Sequence, residues 1–267
     1  MAIFIDQTGR SIQLDKVPQR IISLVPSQTE LLHSLSLHNE VAGITKFCVH
    51  PHEWFRTKPR VGGTKQLHLD IIDKLQPDLI IANKEENVKE QVEHLAGLYP
   101  VWISDVNDLE TAYEMIHEVG LMTGRGAIAT QLVAAIKEQF TRLQTFQAGS
   151  NPTTNKPRAA YLIWREPFMT TGGDTFIHHM IEEAGFDNAF KHQCRYPEIT
   201  PEELKASGCE YLLLSSEPYP FQQKHADELQ ALLPGIKIVL VDGEMFSWYG
   251  SRLLYAPEYF IRIRNKE

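Results

Sequence analysis

The stretch Leu69-Asp-Ile-Ile-Asp-Lys-Leu-Gln-Pro-Asp-Leu-Ile-Ile81 decides the fold, because its pattern returns without a gap at Pro201-Glu-Glu-Leu-Lys-Ala-Ser-Gly-Cys-Glu-Tyr-Leu-Leu213. In each copy an acidic residue, Asp70 or Glu202, opens a short helix, and an apolar strand begins directly after a second acid. A helix-to-strand unit of this size also recurs by chance in α/β proteins. The repeat favours two similar lobes, and a two-lobed α/β protein usually binds a ligand between them.

Length and composition agree with two modest lobes. The chain has 267 residues, more than the ~100–150 of a typical single domain. Its formal net charge of −8 leaves no basic footprint, which argues against nucleic acid or an anionic membrane surface as the main partner. Three scattered cysteines do not form a disulfide framework.

Predicted strands and helices alternate along the chain, which indicates mostly parallel sheets with flanking helices. Ser27 and Glu30 have the spacing of a capping box at the start of the first helix. Residues 3–14 resemble a small hairpin. The predicted strands are 20–25, 41–44, 79–82, 101–103, 158–163, 211–215 and 237–241, and the predicted helices include 28–36, 70–75, 88–97, 108–122 and 223–233.

A long helix is predicted to join the two lobes. Residues 127–147 contain no Gly or Pro and carry apolar residues along one helical face. About 20 residues at 1.5 Å each give a helix of about 30 Å, which is stiff enough to disfavour wide hinge bending. We predict an N-terminal lobe over 1–125, a connecting helix over 126–150 and a C-terminal lobe over 151–267, with a loop running to Pro157.

The N-terminal residues and the hydropathy pattern indicate where in the cell the protein is located. The first residues have no basic segment followed by an apolar run, so we expect no signal peptide in this chain and a cytoplasmic location if Met1 is native. No stretch of ~18 apolar residues is present that could span a bilayer.

Several phrases of the chain resemble the helical-backbone substrate-binding proteins of ABC importers for cobalamin, haem and ferric siderophores. The similarity follows the chain nearly from end to end, and it is greatest to the cobalamin-binding branch. The matching stretches are 6–10, 20–32, 41–45, 61–64, 76–81 and 161–188.

The resemblance implies a monomer that holds a metal chelate between its lobes for uptake through an ABC permease. The ligand would be cobalamin, haem or a ferric siderophore, and the protein would need no cofactor of its own. Members of the family work in the periplasm or anchored to the envelope. A cytosolic carrier or sensor of a corrinoid or metal chelate is the alternative that the missing signal peptide suggests.

Candidate ligand-binding residues follow from the rule that open α/β sheets bind ligands at the carboxyl ends of their strands. The loops expected there are rich in aromatic residues, whose flat rings suit the face of a macrocycle, although each ring could instead be ordinary packing. Two arginines could serve anionic groups or form surface ion pairs. The predicted ligand-binding residues are Phe47, Thr64, Asn83, Trp164, Arg165, Phe168, Phe246, Trp248, Tyr249 and Arg252.

Metal and catalytic sites have weaker support in the sequence. Cys48 and His50 are weak candidates for axial ligands of an iron or cobalt centre, and their spacing does not match a structural zinc site. The chain has no Walker loop, no G-x-G-x-x-G turn, no G-x-S-x-G elbow and no H-E-x-x-H. We therefore expect a binding protein rather than an enzyme; an enzyme would have to use an acid–base site among Glu166, Asp174, His178 and Asp242.

The two repeated acids acquire a role through the resemblance. It implies that one carboxylate of each lobe docks against arginines of the permease, and Asp70 and Glu202 occupy those positions. Asp70 differs from the usual glutamate and is one methylene shorter. The other interpretation is that an acid in the first helical turn interacts favourably with the helix dipole.

Overall fold

The chain folds into two compact units, seen in a computed structural model that describes residues 1–150 and 156–264. Unit 1 comprises Met1–Ile136 together with Trp248–Arg252, and unit 2 comprises Lys137–Ser247 together with Leu253–Glu267. The boundary therefore lies inside the long helix. The domain prediction placed 248–252 in the C-terminal lobe, whereas these residues make their contacts in unit 1.

Unit 1 is built on a four-stranded parallel sheet with the order β4-β3-β5-β6. An N-terminal antiparallel hairpin of β1 and β2 accompanies it, as predicted. The strands are β1 Ala2–Ile5, β2 Ser11–Leu14, β3 Ile21–Ser23, β4 Val41–Ile44, β5 Leu79–Asn83 and β6 Val101–Ser104. The helices are α1 Pro26–Ser34, α2 His52–Thr57, α3 Leu69–Leu75, α4 Lys89–Ala96, α5 Leu109–Met122 and the first part of α6 Gly126–Ser150.

Unit 2 contains a second four-stranded parallel sheet with the order β8-β7-β9-β10. Its strands are β7 Arg158–Leu162, β8 Asp187–Asn188, β9 Tyr211–Ser215 and β10 Lys237–Val241. Its helices, besides the end of α6, are α7 Phe176–Glu183, α8 Pro201–Ala206, α9 Gln223–Leu232, α10 Glu244–Ser247 and α11 Ala256–Arg264, with a 3₁₀ turn at Ser251–Leu254 that spans the two units. The sequence repeat is confirmed: α3 leads into β5 and α8 leads into β9, each the third strand of its sheet.

Buried apolar strands explain why both sheets form. All five residues of β5 are buried, and so are four of the five in β9. Strands covered by helices on both faces need such continuous apolar runs rather than alternation. In unit 1 one face of β5 packs with Val92 and Leu95 of α4, and in unit 2 one face of β9 packs with Leu229 of α9.

The long helix α6 is confirmed, with a buried stripe at Ala129, Val133, Ile136, Phe140 and Leu143. Most of the loop predicted after it, residues 151–155, lies outside the described residues. Within the described parts of the chain, none of the helices is both long and apolar enough to cross a membrane.

The predicted capping box at Ser27 and Glu30 is wrong. Helix α1 begins at Pro26, and its N-cap residue Val25 has no side-chain cap. Proline is favoured in the first helical turn because its missing N–H has no partner there in any case. Glu30 therefore does not cap α1, and its carboxylate forms an ion pair with Arg252.

Candidate ligand-binding loops

Phe47 provides an exposed ring at the carboxyl end of β4. Half of the residue is accessible to solvent (51%). Its ring lies over Gly63, where an added Cβ would come within 3.1 Å of Phe47 Cε2. The Lys46 ammonium lies 5.1 Å from the ring centroid. The loop after β4 therefore presents a supported aromatic face next to a positive charge.

Cys48 and His50, the weak candidates for axial metal ligands, belong to the same loop. Cys48 is fully buried, with its sulfur 3.0 Å from Thr29 Oγ1 and 3.1 Å from Thr45 Oγ1. Burial raises the pKa of the Cys48 thiol, which keeps it protonated and disfavours metal ligation. The His50 ring packs edge-on against Trp248 at 5.7 Å. In the parts of the chain that the structure describes, no cluster of three or more His, Cys, Asp or Glu side chains is arranged to hold a metal ion.

Asn83 and Thr64 are buried residues that shape the neighbouring loops. Asn83 Nδ2 donates to Ser104 O (3.1 Å) and Ser104 Oγ (3.0 Å), while Asn83 Oδ1 accepts from two amides of the following loop. The Thr64 carbonyl accepts from Asn87 Nδ2 at 3.1 Å. The Asn83 amide is fully engaged in hydrogen bonds within unit 1, and its role in ligand binding stays a prediction.

The segment Trp248–Arg252 packs on α1 of unit 1. Arg252 forms a two-point ion pair with Glu30, with Nη2 to Oε1 at 2.7 Å and Nε to Oε2 at 3.1 Å. The two side chains are only 14% and 18% exposed, and the guanidinium also lies 5.0 Å from the Trp248 ring centroid. An added Cβ at Gly250 would come within 3.2 Å of Ser27 O, so the backbones approach closely here.

Burial also corrects the aromatic candidates of this region. Trp248 and Tyr249 are each only 6% exposed, and Phe246 is fully buried. The Phe246 ring lies in the core of unit 2, 5.1 Å from Tyr161 and 4.8 Å from Phe260. Phe246 is therefore a core residue without exposed surface, and Trp248 and Tyr249 are mainly packing residues.

Trp164 is the exposed ring of unit 2. It follows β7, is 40% accessible and packs edge-on against Tyr219 at 5.7 Å. Phe168, farther along the same loop, is half-buried against the core cluster that includes Ile199. Trp164 in unit 2 and Phe47 in unit 1 are thus the predicted rings that remain available to a ligand.

Arg165 is already ion-paired, as Arg252 is. Its Nη2 lies 2.6 Å from Glu228 Oε2, and its Nε lies 3.6 Å from Glu166 Oε1. A hydrogen bond to Tyr219 and the nearby Glu228 raise the pKa of the Arg165 guanidinium. It stays charged, but an anionic ligand would have to compete with two carboxylates.

Tyr219 and His225 complete this cluster, and the sequence analysis gave His225 no role. His225 is 4% exposed; its Nδ1 accepts from Gln222 N at 3.0 Å and its Nε2 lies 3.4 Å from the Tyr219 hydroxyl. Burial lowers the pKa of His225, which favours the neutral ring. The available signal was the spacing Gln222-x-x-His225, a capping box with histidine in the place of the usual acid.

The side chains of the enzyme alternative each have a local structural partner. Glu166 faces Arg165, and Asp174 Oδ1 accepts from Arg195 N at 2.5 Å. His178 Nδ1 lies 3.2 Å from Asn188 Nδ2, and Asp242 Oδ1 accepts from Glu244 N at 3.1 Å.

The two repeated acids lie in the first turns of equivalent helices. The Asp70 side chain is 71% exposed and lies 3.4 Å from Lys74. Glu202 is also exposed and lies in the first turn of α8, where Thr200 and Glu203 form a true capping box. Both carboxylates are therefore accessible to a partner.

Comparison with known proteins identifies the family. The profile of the family described as "Periplasmic binding protein" matches residues 21–233. This chain belongs to the periplasmic binding protein family. The match includes both sheets up to β9 and ends just after α9, so family membership rests on both units.

The names of two proteins that are similar to this chain state a function. YvrC, an ABC transporter substrate-binding lipoprotein of Bacillus subtilis, is 25% identical over 206 residues, which cover 74% of this chain and 64% of YvrC. The chain thus spans less than two thirds of YvrC. The vitamin B12-binding protein of Pectobacterium carotovorum is 21% identical over 244 residues, covering 91% of this chain and 87% of that protein.

A solved structure shows the same fold. The periplasmic haem-binding protein of Pseudomonas aeruginosa matches with a TM-score of 0.80 and 19% identity, covering 91% of each chain. The predicted fold of two parallel sheets flanked by helices is therefore confirmed, and relatives of this periplasmic binding protein are binding proteins rather than enzymes.

Proposed function

We propose that this protein is the substrate-binding component of an ABC importer and that it binds a metal chelate, with a corrinoid as the first candidate. Haem and ferric siderophores are the other members of the class. The observation that carries the proposal is the pair of exposed rings, Phe47 and Trp164, each at the carboxyl edge of a parallel sheet. Family membership and the vitamin B12-binding relative support it.

Ring exposure sets the expected contribution of each aromatic contact. A tryptophan buries on the order of 250 Å² when fully covered, so Trp164 at 40% exposure offers about 100 Å². At about 25 cal/mol per Å² this area is worth about 2.5 kcal/mol, on the order of 50-fold in affinity. Two such rings would contribute much of the binding energy of a large, flat ligand.

Charge favours a corrinoid over haem. The two arginines that could bind propionates are occupied, Arg165 by Glu228 and Arg252 by Glu30. An anionic group bound at Arg252 would break a largely buried ion pair and leave Glu30 unpaired, which is costly. The more exposed Arg165–Glu228 pair is a weaker competitor. The amide periphery of a corrinoid makes no such demand.

A set of ligand titrations tests the binding proposal. The melting temperature of the full chain should rise with cyanocobalamin or cobinamide, because a ligand at 100 times its Kd adds about 2.7 kcal/mol of stability. Haemin and a ferric hydroxamate siderophore are the comparison ligands. A shift with haemin alone would contradict the corrinoid assignment, and no shift with any of the four would contradict the proposed function.

Docking of Asp70 and Glu202 against a permease is a separate part of the proposal. Both carboxylates are exposed, and the Asp70–Lys74 pair is too exposed to hold the side chain strongly. The double variant Asp70→Ala, Glu202→Ala should lose ligand delivery in a reconstituted importer while keeping ligand affinity. The matched control Glu90→Ala, Asp227→Ala removes one other exposed acid from each unit and should keep delivery. Delivery that survives in the first variant would show that Asp70 and Glu202 serve only the first turns of their helices.

A further inference from the structure

Unit 2 contains a groove of about 330 Å³ between its sheet and its last helix. This volume lies at the small end of the range of ligand pockets. Strands β9 and β10 form the floor and α11 forms a wall. The residues that define the groove are Tyr211, Leu213, Lys237, Val239, Arg262 and Ile263.

The floor is a continuous surface on one face of the sheet. Lys237 pairs with Tyr211 and Val239 pairs with Leu213 in the parallel register of β10 and β9. Residues two apart on a strand share a face, so these four side chains lie on the same side. The opposite face, with Leu212, Leu214 and Ile238, packs on the main core of unit 2.

The groove is open along β10, which is an edge strand. Leu240 is 39% exposed, and only Val241 of this strand is buried. β10 is thus an apolar strand that is incompletely covered. Apolar surface of this kind marks a binding site when charge and shape select an occupant.

Positive charge surrounds this apolar floor. The Lys237 ammonium lies 5.4 Å from the Tyr211 ring centroid, and the exposed Arg262 lies on the wall. A third cation, Arg264, lies over the Phe186 ring at 5.1 Å. Glu258 lies 3.9 Å from Arg262 Nε and is 76% exposed, so it neutralises the Arg262 guanidinium weakly.

We propose that this groove binds a single-chain amphiphile with an anionic head, of the aliphatic carboxylate class. The alkyl chain would cover Val239, Leu240 and Ile263, and the head would be held by Lys237 and Arg262. A cationic rim on a protein of net charge −8 is locally selective for anions. The groove starts at the amino ends of β9 and β10, so the site is independent of the carboxyl-edge loops and of the corrinoid proposal.

Calorimetric titration of the full chain with three ten-carbon probes tests the head-group preference. Decanoate should bind at least tenfold more tightly than decanol, and decyltrimethylammonium should bind more weakly still. Equal affinity for decanoate and decyltrimethylammonium, or no binding of decanoate at millimolar concentration, would overturn the proposal.

Charge variants locate the site. Lys237→Gln with Arg262→Gln should weaken decanoate at least tenfold and leave decanol unchanged, because only the head contacts are lost. The matched control Lys205→Gln with Lys224→Gln removes two other lysines of unit 2 and should bind decanoate normally. Val239→Trp, filling the floor, should weaken both decanoate and decanol. Unchanged decanoate binding in the first double variant would overturn the assignment whatever the result with cyanocobalamin.

Discussion

Unit 1 and unit 2 share one sheet topology and differ in how the edges of that sheet are covered. Each sheet has the third strand in chain order beside the first, with the second and fourth strands at the edges. In unit 1 the edge strand β6 is fully buried, and Gln7 of the hairpin loop donates to Ile103 O at 3.1 Å. In unit 2 the equivalent strand β10 is largely accessible.

The comparison shows that the repeated scaffold fixes where strands end, while the surrounding segments decide which side chains remain exposed. The N-cap residue of α3, His68, makes no side-chain cap, whereas the equivalent α8 has a complete capping box. The exposed rings differ as well, since Phe47 follows the second strand of its sheet and Trp164 follows the first. Four predictions test these differences.

The largest effect is expected from a core ring of unit 2 compared with an exposed ring of unit 1. Phe246→Ala should lower the free energy of unfolding by about 3–5 kcal/mol, because it leaves a cavity beside Tyr161 and Phe260. Phe47→Ala should change it by less than about 0.5 kcal/mol, since the ring is half exposed. Urea unfolding of both variants measures the difference. A Phe246→Ala variant that keeps its stability and loses only ligand affinity would show that Phe246 contacts the ligand.

The second largest loss of stability is expected at the Arg252–Glu30 ion pair, which supports the assignment of residues 248–252 to unit 1. Arg252→Gln should destabilise the fold by about 3 kcal/mol, because it leaves the largely buried Glu30 carboxylate without its ion pair. Adding Glu30→Gln should restore part of the loss, and a double-mutant cycle measures the coupling. Additive effects of the two changes would show that the pair contributes no coupling energy.

A smaller effect, on affinity alone, is expected at the exposed ring of unit 2. Trp164→Ala should weaken binding of the preferred chelate by about 2.5 kcal/mol, on the order of 50-fold, with little change in stability. Trp248→Ala should lower stability and change affinity little, because that ring is buried in unit 1. Calorimetric titration and urea unfolding separate the two. Equal losses of affinity without loss of stability would place both rings at the ligand.

The smallest effect is a pH dependence that distinguishes a buried histidine of unit 2 from exposed ones. Burial lowers the pKa of His225 below its usual value of about 6.5, so the unfolded chain binds a proton more readily than the folded chain. The stability linked to neutral His225 is therefore complete above about pH 6.5 and declines as the pH falls below it.

His225→Gln should keep the hydrogen bond from Gln222 N and flatten this acid-side decline. His94→Gln, at an exposed position of unit 1, is the control and should leave the decline unchanged. Melting temperatures measured between pH 5 and 7.5 test the prediction. A decline of the same slope in His225→Gln would assign it to other groups, with His33, whose pKa burial also lowers, as the next to test.

Much of the architecture could be predicted because its signals are local. The strands at 41–44, 211–215 and 237–241 have the predicted bounds, and α6 has the bounds predicted for the connecting helix, 126–150. Such elements are specified by apolar runs and by the turn residues that flank them, and both are patterns of residues close together in the sequence. The short strand β8 and the helices α2, α10 and α11 were not predicted, because brief or mixed segments carry little periodicity.

The candidate site could be predicted only as a set of loops. Phe246 and Trp164 both lie in aromatic clusters after apolar strands, yet one is fully buried and the other is 40% exposed. Composition is similar in the two clusters, so no local pattern separates them. Burial depends on which other helices cover the ring, and for Phe246 that helix is α11.

By itself, the sequence determined the repeated helix-to-strand unit, the two parallel sheets and the family. These follow from hydrophobic patterns and turn residues that act over short distances along the chain. Only the tertiary structure decided that Glu30 pairs with Arg252, 222 residues away, that 248–252 completes unit 1, and that both candidate arginines are already neutralised. Pairings of this kind depend on how distant segments pack, and no local preference of either segment encodes them.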